Sequence, residues 1–152
     1  MTRVLMTTEI GNGQQVHAQV GALCYRHVPG GGIDLLLVTS RRTRRWIIPK
    51  GWPMAGKTAA EAAAQEAWEE AGVSGDLLDR CIGQFTYIKT RAGRKTLACQ
   101  VDVFPLRVEA LATRYPEASE RRRAWVAREQ AVQLVAEPEL AALLNAFAPV
   151  AT

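Results

Sequence analysis

Apolar runs rich in Val, Leu and Ile alternate with short polar segments, and their lengths suit β-strands. The runs cover residues 16–27, 33–40, 46–48, 81–90, 95–108 and 123–126. The Pro-Gly-Gly-Gly sequence at 29–32 separates the first two runs and predicts a hairpin turn. The polar segment 91–94, which contains a glycine, predicts a second hairpin. The pattern therefore predicts a sheet built around two hairpins, with a short edge strand at 123–126.

The clearest helix is predicted at Ala59–Ala71, between the two sets of strands. Thr58 can cap its first turn, and Glu61, three residues further on, completes a capping box. Gly72 suits the left-handed residue with which many helices end. This segment is therefore expected to form a capped helix with defined ends.

Two further helices are predicted near the end of the chain, at 127–135 and 138–147. The second has an apolar face made of Leu140, Leu143, Leu144 and Phe147. Strands on both sides of a central helix, with helices at the end, indicate an α/β fold in which helices cover the faces of a mixed sheet.

The length of 152 residues and the hydrophobic content of 48% fit one domain, because domains commonly have about 100–150 residues. We predict this domain at 14–150 and a flexible N-terminal segment at 1–13. Residues 1–13 contain no apolar run of signal-peptide length, and no segment of the chain reaches the roughly 18 apolar residues of a membrane span. A cytoplasmic protein without a membrane partner is expected.

Three glutamates share one stripe of the predicted helix. At about 100° per residue, Glu69 lies about 60° to one side of Glu66 and Glu70 about 40° to the other. The opposite side is apolar and consists of Ala60, Ala64, Ala67, Trp68 and Ala71. We therefore expect this side to pack on the sheet and the glutamates to face outward, where the small Ala59, Ala62 and Ala63 leave room for a ligand.

The charge around this stripe is unusual for a solvated helix face. No basic residue occurs from Thr58 to Asp79, although the chain contains 19 Lys and Arg residues. Ordinary helices relieve repulsion between glutamates with Lys or Arg one turn away. A bound cation would compensate the stripe, and carboxylate oxygens favour magnesium or manganese over zinc or copper.

Residues 51–73 resemble the signature of the Nudix hydrolases, which is Gly, five residues, Glu, seven residues, then Arg-Glu-aliphatic-any-Glu-Glu-any-Gly-aliphatic. Gly51 begins the pattern here, and the residues that keep its spacing are Glu66, Glu69, Glu70, Gly72 and Val73, with Ala67 at the first aliphatic position. The resemblance implies the Nudix α/β/α sandwich with a mixed β-sheet. It also implies a pyrophosphohydrolase in which Glu66, Glu69 and Glu70 are catalytic and, with Gly51, form the site for Mg²⁺, which Mn²⁺ can replace.

Two positions depart from the signature. Lys57 stands where the family usually has its first Glu, and Gln65 stands where it has Arg. The two changes balance in charge, as expected of a repacked site, and they also fit a site that has lost activity. A nucleotide-binding or metabolite-binding sensor is therefore an alternative to an enzyme.

Basic residues precede the acidic helix, and together with the net charge of +4 they suggest an anionic ligand. The residues predicted to bind substrate are Arg41, Arg42, Arg44, Arg45, Lys50 and Lys57. Guanidinium groups bind outer phosphates through paired hydrogen bonds. Pro49-Lys50-Gly51 also resembles the start of the signature in the branch that hydrolyses diphosphoinositol polyphosphates and dinucleoside polyphosphates. A substrate of one of these two kinds is favoured.

The general base and the remaining partners stay open at this point. Glu117 and Glu120 lie in a polar loop at 115–123, so the base can be Glu69, Glu70, Glu117 or Glu120. Basic and aromatic residues do not alternate as they do in RNA-binding modules, so a nucleic-acid partner is not expected. The basic net charge still leaves an RNA 5′-end pyrophosphohydrolase as a further alternative. The sequence allows a homo-oligomer.

Overall fold

The computed structural model describes residues 3, 5–9, 15–89, 93 and 96–149. Its strands are β1 (Met6–Glu9), β2 (Gln15–His27), β3 (Ile33–Thr39), β4 (Trp46–Ile47), β5 (Lys50–Gly51), β6 (Val73–Leu77), β7 (Gly83–Lys89), β8 (Leu97–Leu111) and β9 (Arg123–Ala127). Its helices are α1 (Ala59–Ala71), α2 (Arg128–Leu134) and α3 (Pro138–Ala146). No helix of the described residues is long and apolar enough to cross a membrane.

The long strands β2 and β8 form the centre of a mixed sheet. They run parallel, in register from His17 opposite Cys99 to Tyr25 opposite Arg107. β3 continues the sheet beyond β2 and carries β4 and β9, while β6 and β7 pair with different parts of β8, all antiparallel. This arrangement confirms the predicted α/β class with a mixed sheet, and it confirms the edge strand formed by β9.

Helix α1 has the caps that its sequence predicts. The Thr58 hydroxyl accepts a hydrogen bond of 3.1 Å from the Glu61 backbone N–H, and the Glu61 carboxylate accepts one of 2.8 Å from the Thr58 N–H. Gly72 ends the helix in the left-handed region with φ 68°. These bonds fix the residues at which α1 begins and ends.

Helices α1 and α3 cover opposite faces of the sheet. On β7, the Tyr87 hydroxyl donates to Gln19 on the α1 side, while the neighbouring Thr86 donates from its N–H and its hydroxyl to Glu139 of α3. Side chains of successive strand residues point to opposite faces, so the sheet lies between the two helices. In α3, Leu140 and Leu144 are fully buried, which confirms the predicted apolar face.

Three strands were not predicted, and one of them changes the expectation for the N-terminus. β5 and β6 are short and contain glycines and polar residues, which weaken a strand pattern. β1 lies within the segment 1–13, which was predicted to be flexible, and it pairs with β2 from Met6 opposite Ala18 to Glu9 opposite Gln15. The prediction is therefore wrong for residues 6–9. Most of the predicted turn at 91–94 lies outside the described residues.

Candidate functional site

The glutamate stripe faces into the protein, which corrects the predicted orientation of α1. Glu66 and Glu70 are 3% and 4% exposed, whereas Trp68 is 37% exposed. Ala62 and Ala63, which were expected to leave room for a ligand, are fully buried. Small residues flank the stripe on both sides, so the helix can approach the sheet closely and bury two glutamates together with its alanines.

Gly51 makes room for one of the buried carboxylates. β5 places Gly51 beside Val20 of β2, directly against α1. A Cβ atom at this position would collide with the carboxyl group of Glu66. A larger residue at this position would displace the Glu66 carboxylate, so glycine allows the carboxylate to lie against the backbone here.

Two cations and a backbone amide surround Glu70. Its carboxylate accepts a hydrogen bond of 3.3 Å from the Lys50 N–H, and it lies 3.5 Å from the guanidinium group of Arg121. Burial raises the pKa of Glu70, while the charges of Arg121 and Lys50 act in the opposite direction. The stripe is thus compensated by residues far away in the sequence, which the absence of basic residues near α1 could not reveal.

Glu66 and Glu69 share a third cation. The Arg3 guanidinium group donates to Glu66 at 3.0 Å and to Glu69 at 2.6 Å, and the Gln65 side chain donates to the other Glu69 oxygen at 2.9 Å. Burial raises the pKa of Glu66, and the hydrogen bond from Arg3 opposes this shift. Arg3 was not among the predicted site residues, because nothing in the sequence near the N-terminus signals its contact with α1.

The carboxylates suit a hard divalent cation, although they are not gathered around one point. Among the described residues, no group of three His, Cys, Asp or Glu side chains is close enough to hold a metal ion. Two observations nevertheless support the fit: Gly51 leaves a space that the Glu66 carboxylate fills, and the positive group of Arg3 stands between Glu66 and Glu69. Carboxylate oxygens are the ligands that magnesium prefers in proteins.

Of the predicted substrate-binding residues, Lys50 bonds to Glu70 through its backbone N–H, and Arg41 lies beside the glutamates of the loop before β9. The Lys50 amino group lies 4.3 Å from the centre of the Tyr87 ring, and burial lowers its pKa to about 8. Arg41 lies 3.0 Å from the carboxylate of Glu120 and 4.0 Å from that of Glu117. Both residues can therefore contribute positive charge to a ligand bound beside α1.

The other predicted basic residues point elsewhere. Arg45 pairs with Glu137 at 3.5 Å, next to the start of α3, and Arg44 donates to the Glu120 carbonyl at 3.4 Å. Arg42 is exposed. Lys57 lines a groove of about 340 Å³ together with Glu61, Ala64, Gln65 and residues of β6. These helix residues lie between about 100° and 180° around α1 from Glu66 and Glu70. Lys57 thus lies on another side of the helix from these two carboxylates.

The loop between β8 and β9 closes over the end of the stripe. The Glu117 N–H donates to the Glu69 carbonyl at 2.9 Å, and the Glu117 carboxylate accepts from Arg121 at 2.8 Å. Arg121 also contacts Glu70, so it joins the loop to the helix. Glu117 was among the candidate bases predicted from the sequence, whereas Arg121 was not among the predicted site residues. Arg122 and Arg123 follow it directly, so the sequence gives no reason to single it out.

The site continues along the sheet through His17 and Gln19 of β2 and Trp52 after β5. The side chain of His17 contacts the Trp52 ring edge at 6.3 Å between ring centres, and Gln19 accepts the hydroxyl of Tyr87 at 2.6 Å. Within the described part of the chain, His17 Nδ1 is buried without a hydrogen-bond partner. Polar and aromatic groups thus line the sheet surface beside Lys50.

Comparisons with known proteins agree with this geometry. The sequence profile of the NUDIX domain matches residues 17–147. The chain belongs to the Nudix family. It is 32% identical over 131 residues to "Nudix hydrolase 21, chloroplastic" of Arabidopsis thaliana, covering 84% of this chain and 64% of that protein. It is 31% identical over 119 residues to a Mus musculus "Diphosphoinositol polyphosphate phosphohydrolase 3-alpha", covering 77% of this chain and 68% of that protein.

Solved structures share the fold. A Caenorhabditis elegans Ap4A hydrolase superposes with a TM-score of 0.58 at 23% identity, covering 86% of this chain and 94% of that one. At this identity the likeness concerns the fold alone. The chain spans 52–64% of the length of the Arabidopsis Nudix hydrolases that it matches.

Proposed function

We propose that this protein hydrolyses a phosphoanhydride bond of a polyphosphorylated small molecule and depends on Mg²⁺, which Mn²⁺ can replace. One observation carries the proposal: two buried carboxylates, Glu66 and Glu70, lie beside the more exposed Glu69 at a site edged by cationic side chains. Burying ionised groups is costly unless cations compensate them. A site with both signs of charge suits a ligand that combines phosphate groups with a divalent cation.

In this proposal Glu66, Glu69 and Glu70 hold the cation, and Gly51 provides the space in which Glu66 reaches it. When bound, the cation supplies Lewis acidity, stabilising charge on the phosphate oxygens and lowering the pKa of water. Arg121 lies 3.5 Å from the Glu70 carboxylate and holds it in position from the side of the loop before β9. The protein thus provides a set of oxygens held by packing and hydrogen bonds before substrate binds.

A carboxylate near the stripe takes the proton of the attacking water. Glu69, Glu70, Glu117 and Glu120 are the candidates, and the contacts favour Glu117 over Glu120. The Glu117 backbone is bonded to Glu69, and its carboxylate is 16% exposed against 43% for Glu120. A base held close to the metal carboxylates can meet the geometric requirement for proton abstraction, while a more exposed side chain samples many positions.

The preferred substrates in this proposal are dinucleoside polyphosphates or diphosphoinositol polyphosphates. Lys50, Arg41 and Arg121 lie around the carboxylates and can contact phosphates outside the metal site. A substrate with only two phosphates would leave these cations little to bind, because the metal neutralises most of its charge. The names of the mouse relative and of the C. elegans structure refer to substrates of these two kinds.

A sensor that binds such a ligand without hydrolysing it is the second candidate. The departures at Lys57 and Gln65 favour it, since Lys57 lies on the β6 side of α1 and Gln65 bonds directly to Glu69. The cytoplasmic location and the oligomeric state stay predictions.

A panel of substrates tests the proposal directly. Nucleoside triphosphates, dinucleoside polyphosphates, diphosphoinositol polyphosphates and nucleoside diphosphate sugars would be incubated with Mg²⁺, and the products identified by chromatography. Turnover of the long polyphosphates that stops with chelator supports the proposal. Inertness toward the whole panel, combined with thermal stabilisation by one of its members, would favour the sensor.

A further inference from the structure

We propose that Arg3 is a latch on the metal carboxylates: its guanidinium group bonds to carboxylate oxygens of Glu66 and Glu69 that would hold a divalent cation, and loading the metal requires its displacement. This inference rests on the proposed function, in which these two glutamates hold the cation. It adds a control of metal binding by the N-terminal arm, which is defined as Arg3 and residues 5–9.

The contacts of Arg3 join both carboxylates through one group. Its Nε and Nη2 donate to Glu66 Oε2 at 3.2 and 3.0 Å, and Nη2 also donates to Glu69 Oε1 at 2.6 Å. Such charge-assisted bonds are the stronger ones in proteins. Arg3 therefore does for these two carboxylates what a bridging cation would do, which is to place a positive charge between them.

Arg3 and a bridging cation compete for the same oxygens. In this structure both Glu69 oxygens are already bonded, one by Arg3 and the other by Gln65. A cation bound between Glu66 and Glu69 would take the bonded oxygens and would also repel the guanidinium group a few ångströms away. The two positive groups therefore exclude one another.

The difference in exposure shows which partner can leave. The Arg3 side chain is 40% exposed, whereas that of Glu66 is 4% exposed. When released, Arg3 is solvated in water at little cost, because ion pairs of exposed side chains contribute little free energy. Glu66 cannot turn to water and needs a replacement cation. When metal replaces Arg3, the Glu66 carboxylate keeps a positive partner and the Arg3 guanidinium group is solvated by water.

The backbone of the arm links this exchange to a strand. Arg3 forms a β-bridge with Met54, in the segment between β5 and α1, and β1 pairs with β2 a few residues later. The arm thus crosses from the edge of the sheet to the start of the glutamate helix. Release of the Arg3 side chain removes the side-chain bonds between the arm and α1 and leaves only the backbone pairing, so metal binding is expected to loosen the arm.

Binding of Mn²⁺ alone, followed by electron paramagnetic resonance, tests the latch without any substrate. Parent protein would be compared with Arg3→Ala, Arg3→Lys and Arg107→Ala, the last of which removes an arginine of similar exposure that pairs with Asp76. We expect Arg3→Ala to lower the Kd for Mn²⁺ about three- to tenfold, the equivalent of one partly exposed ion pair, and Arg107→Ala to leave it unchanged. Arg3→Lys should lie between Arg3→Ala and the parent, because it keeps the charge and loses the forked geometry.

Hydrogen exchange provides a second measurement. Amide protection at residues 6–9 should fall when Mn²⁺ saturates the parent, and it should already be low in Arg3→Ala before metal is added. An unchanged or weaker Mn²⁺ affinity in Arg3→Ala overturns the latch, and the weaker affinity would identify Arg3 as a residue that positions the ligands. A protected arm in the metal-bound parent also overturns it.

Glu69→Gln separates this inference from the proposed function. In one outcome Mn²⁺ binds the parent, Glu69→Gln weakens this binding, and Arg3→Ala leaves it unchanged. In that case only the latch is wrong. If Mn²⁺ binds neither the parent nor Arg3→Ala, or if Glu69→Gln leaves binding unchanged, both the metal site and the latch are wrong.

Discussion

The guanidinium group of Arg121 lies 3.5 Å from the carboxylate of Glu70, and the two side chains are only 10% and 5% exposed. Arg121 also donates to Glu117 at 2.8 Å and to the Thr39 carbonyl at 3.1 Å. One arginine therefore joins the glutamate helix, the loop before β9 and the end of β3. Breaking a buried pair of this kind leaves an uncompensated charge in the interior, which is the costly outcome for such pairs.

We predict that Arg121→Met lowers the free energy of unfolding by about 2 kcal/mol in the presence of chelator, because the variant loses the hydrogen bonds to Glu117 and Thr39 and leaves these partly buried acceptors without a donor. Glu70 adds little to this loss at pH 7, because its raised pKa of about 8 lets it hold a proton. Arg107→Met removes the more exposed pair with Asp76 and should cost less than about 1 kcal/mol. Urea unfolding at pH 7 measures both. Equal losses in the two variants would contradict the structural role of Arg121.

Replacing a metal carboxylate should abolish most activity while leaving the fold intact. Glu69→Gln and Glu70→Gln are each expected to lower kcat by roughly 10²-fold or more, because a lost ligand forfeits several kcal/mol of transition-state stabilisation. Glu129→Gln, on the exposed part of α2, is the matched control and should retain full activity. Initial rates with saturating Mg²⁺ decide the matter, and full activity in either site variant would remove that glutamate from the catalytic set.

The stability of the metal-free protein should depend on the ionisation of Glu70. Burial raises its pKa to about 8, so the folded state holds a proton that the unfolded state releases near pH 4.3. The stabilisation from this group is fully present below the unfolded pKa and is lost as the pH rises toward 8, at up to about 1.4 kcal/mol per pH unit. Glu70→Gln cannot ionise and lacks this decline.

Unfolding in chelator at pH 5, 6 and 7 measures this effect. The free energy of unfolding of Glu70→Gln, relative to that of the parent, should rise with each increase in pH. A difference that stays constant with pH would show that Glu70 is already ionised throughout this range, held so by Arg121 and Lys50.

The substrate preference can be tested through the cations beside the carboxylates. Lys50→Met combined with Arg41→Ala should raise KM for a dinucleoside tetraphosphate about tenfold or more, as each charged hydrogen bond to phosphate contributes about 1.5–3 kcal/mol before exposure weakens it. For a nucleoside diphosphate sugar the increase should be much smaller. Arg45→Ala is the control, because Arg45 pairs with Glu137 away from the carboxylates.

Measurements at two salt concentrations complete this test. The parent should lose affinity for the long substrate as ionic strength rises, and the double variant should lose less, because screening acts on charges that the variant lacks. A double variant that loses both substrates equally would argue against the polyphosphate assignment and leave the metal chemistry unaffected.

The sequence predicted the strands and helices that carry strong local signals. Thr58, Glu61 and Gly72 define the ends of α1 because caps depend on residues close in sequence. The strands β5 and β6 escaped prediction because they are short and carry polar residues or glycine, so their pairing depends on neighbours from elsewhere in the sheet. Local patterns therefore predicted the long strands and the helices and missed the short strands β5 and β6.

The facing of α1 could not be obtained from its periodicity. Alanines occupy both sides of the glutamate stripe, so a helix rotated by a large angle has a similar apolar face. The cations that allow burial, Arg3, Lys50 and Arg121, are separated from α1 by long stretches of chain or by a turn. Only the packed structure shows that the stripe is compensated from within the protein.

The parallel pairing of β2 and β8 also constrains the order in which the molecule can fold. His17 and Cys99 lie opposite each other in this pair, with the hairpin, α1 and β7 between them in the chain. Such non-local pairing is slow to form, because the intervening loop must close before any contact rewards it. The loop that follows β8 contacts Glu69 and Glu70 through Glu117 and Arg121, which depends on β8 being in place. A refolding chain should therefore acquire its native helix content before its ability to bind Mn²⁺.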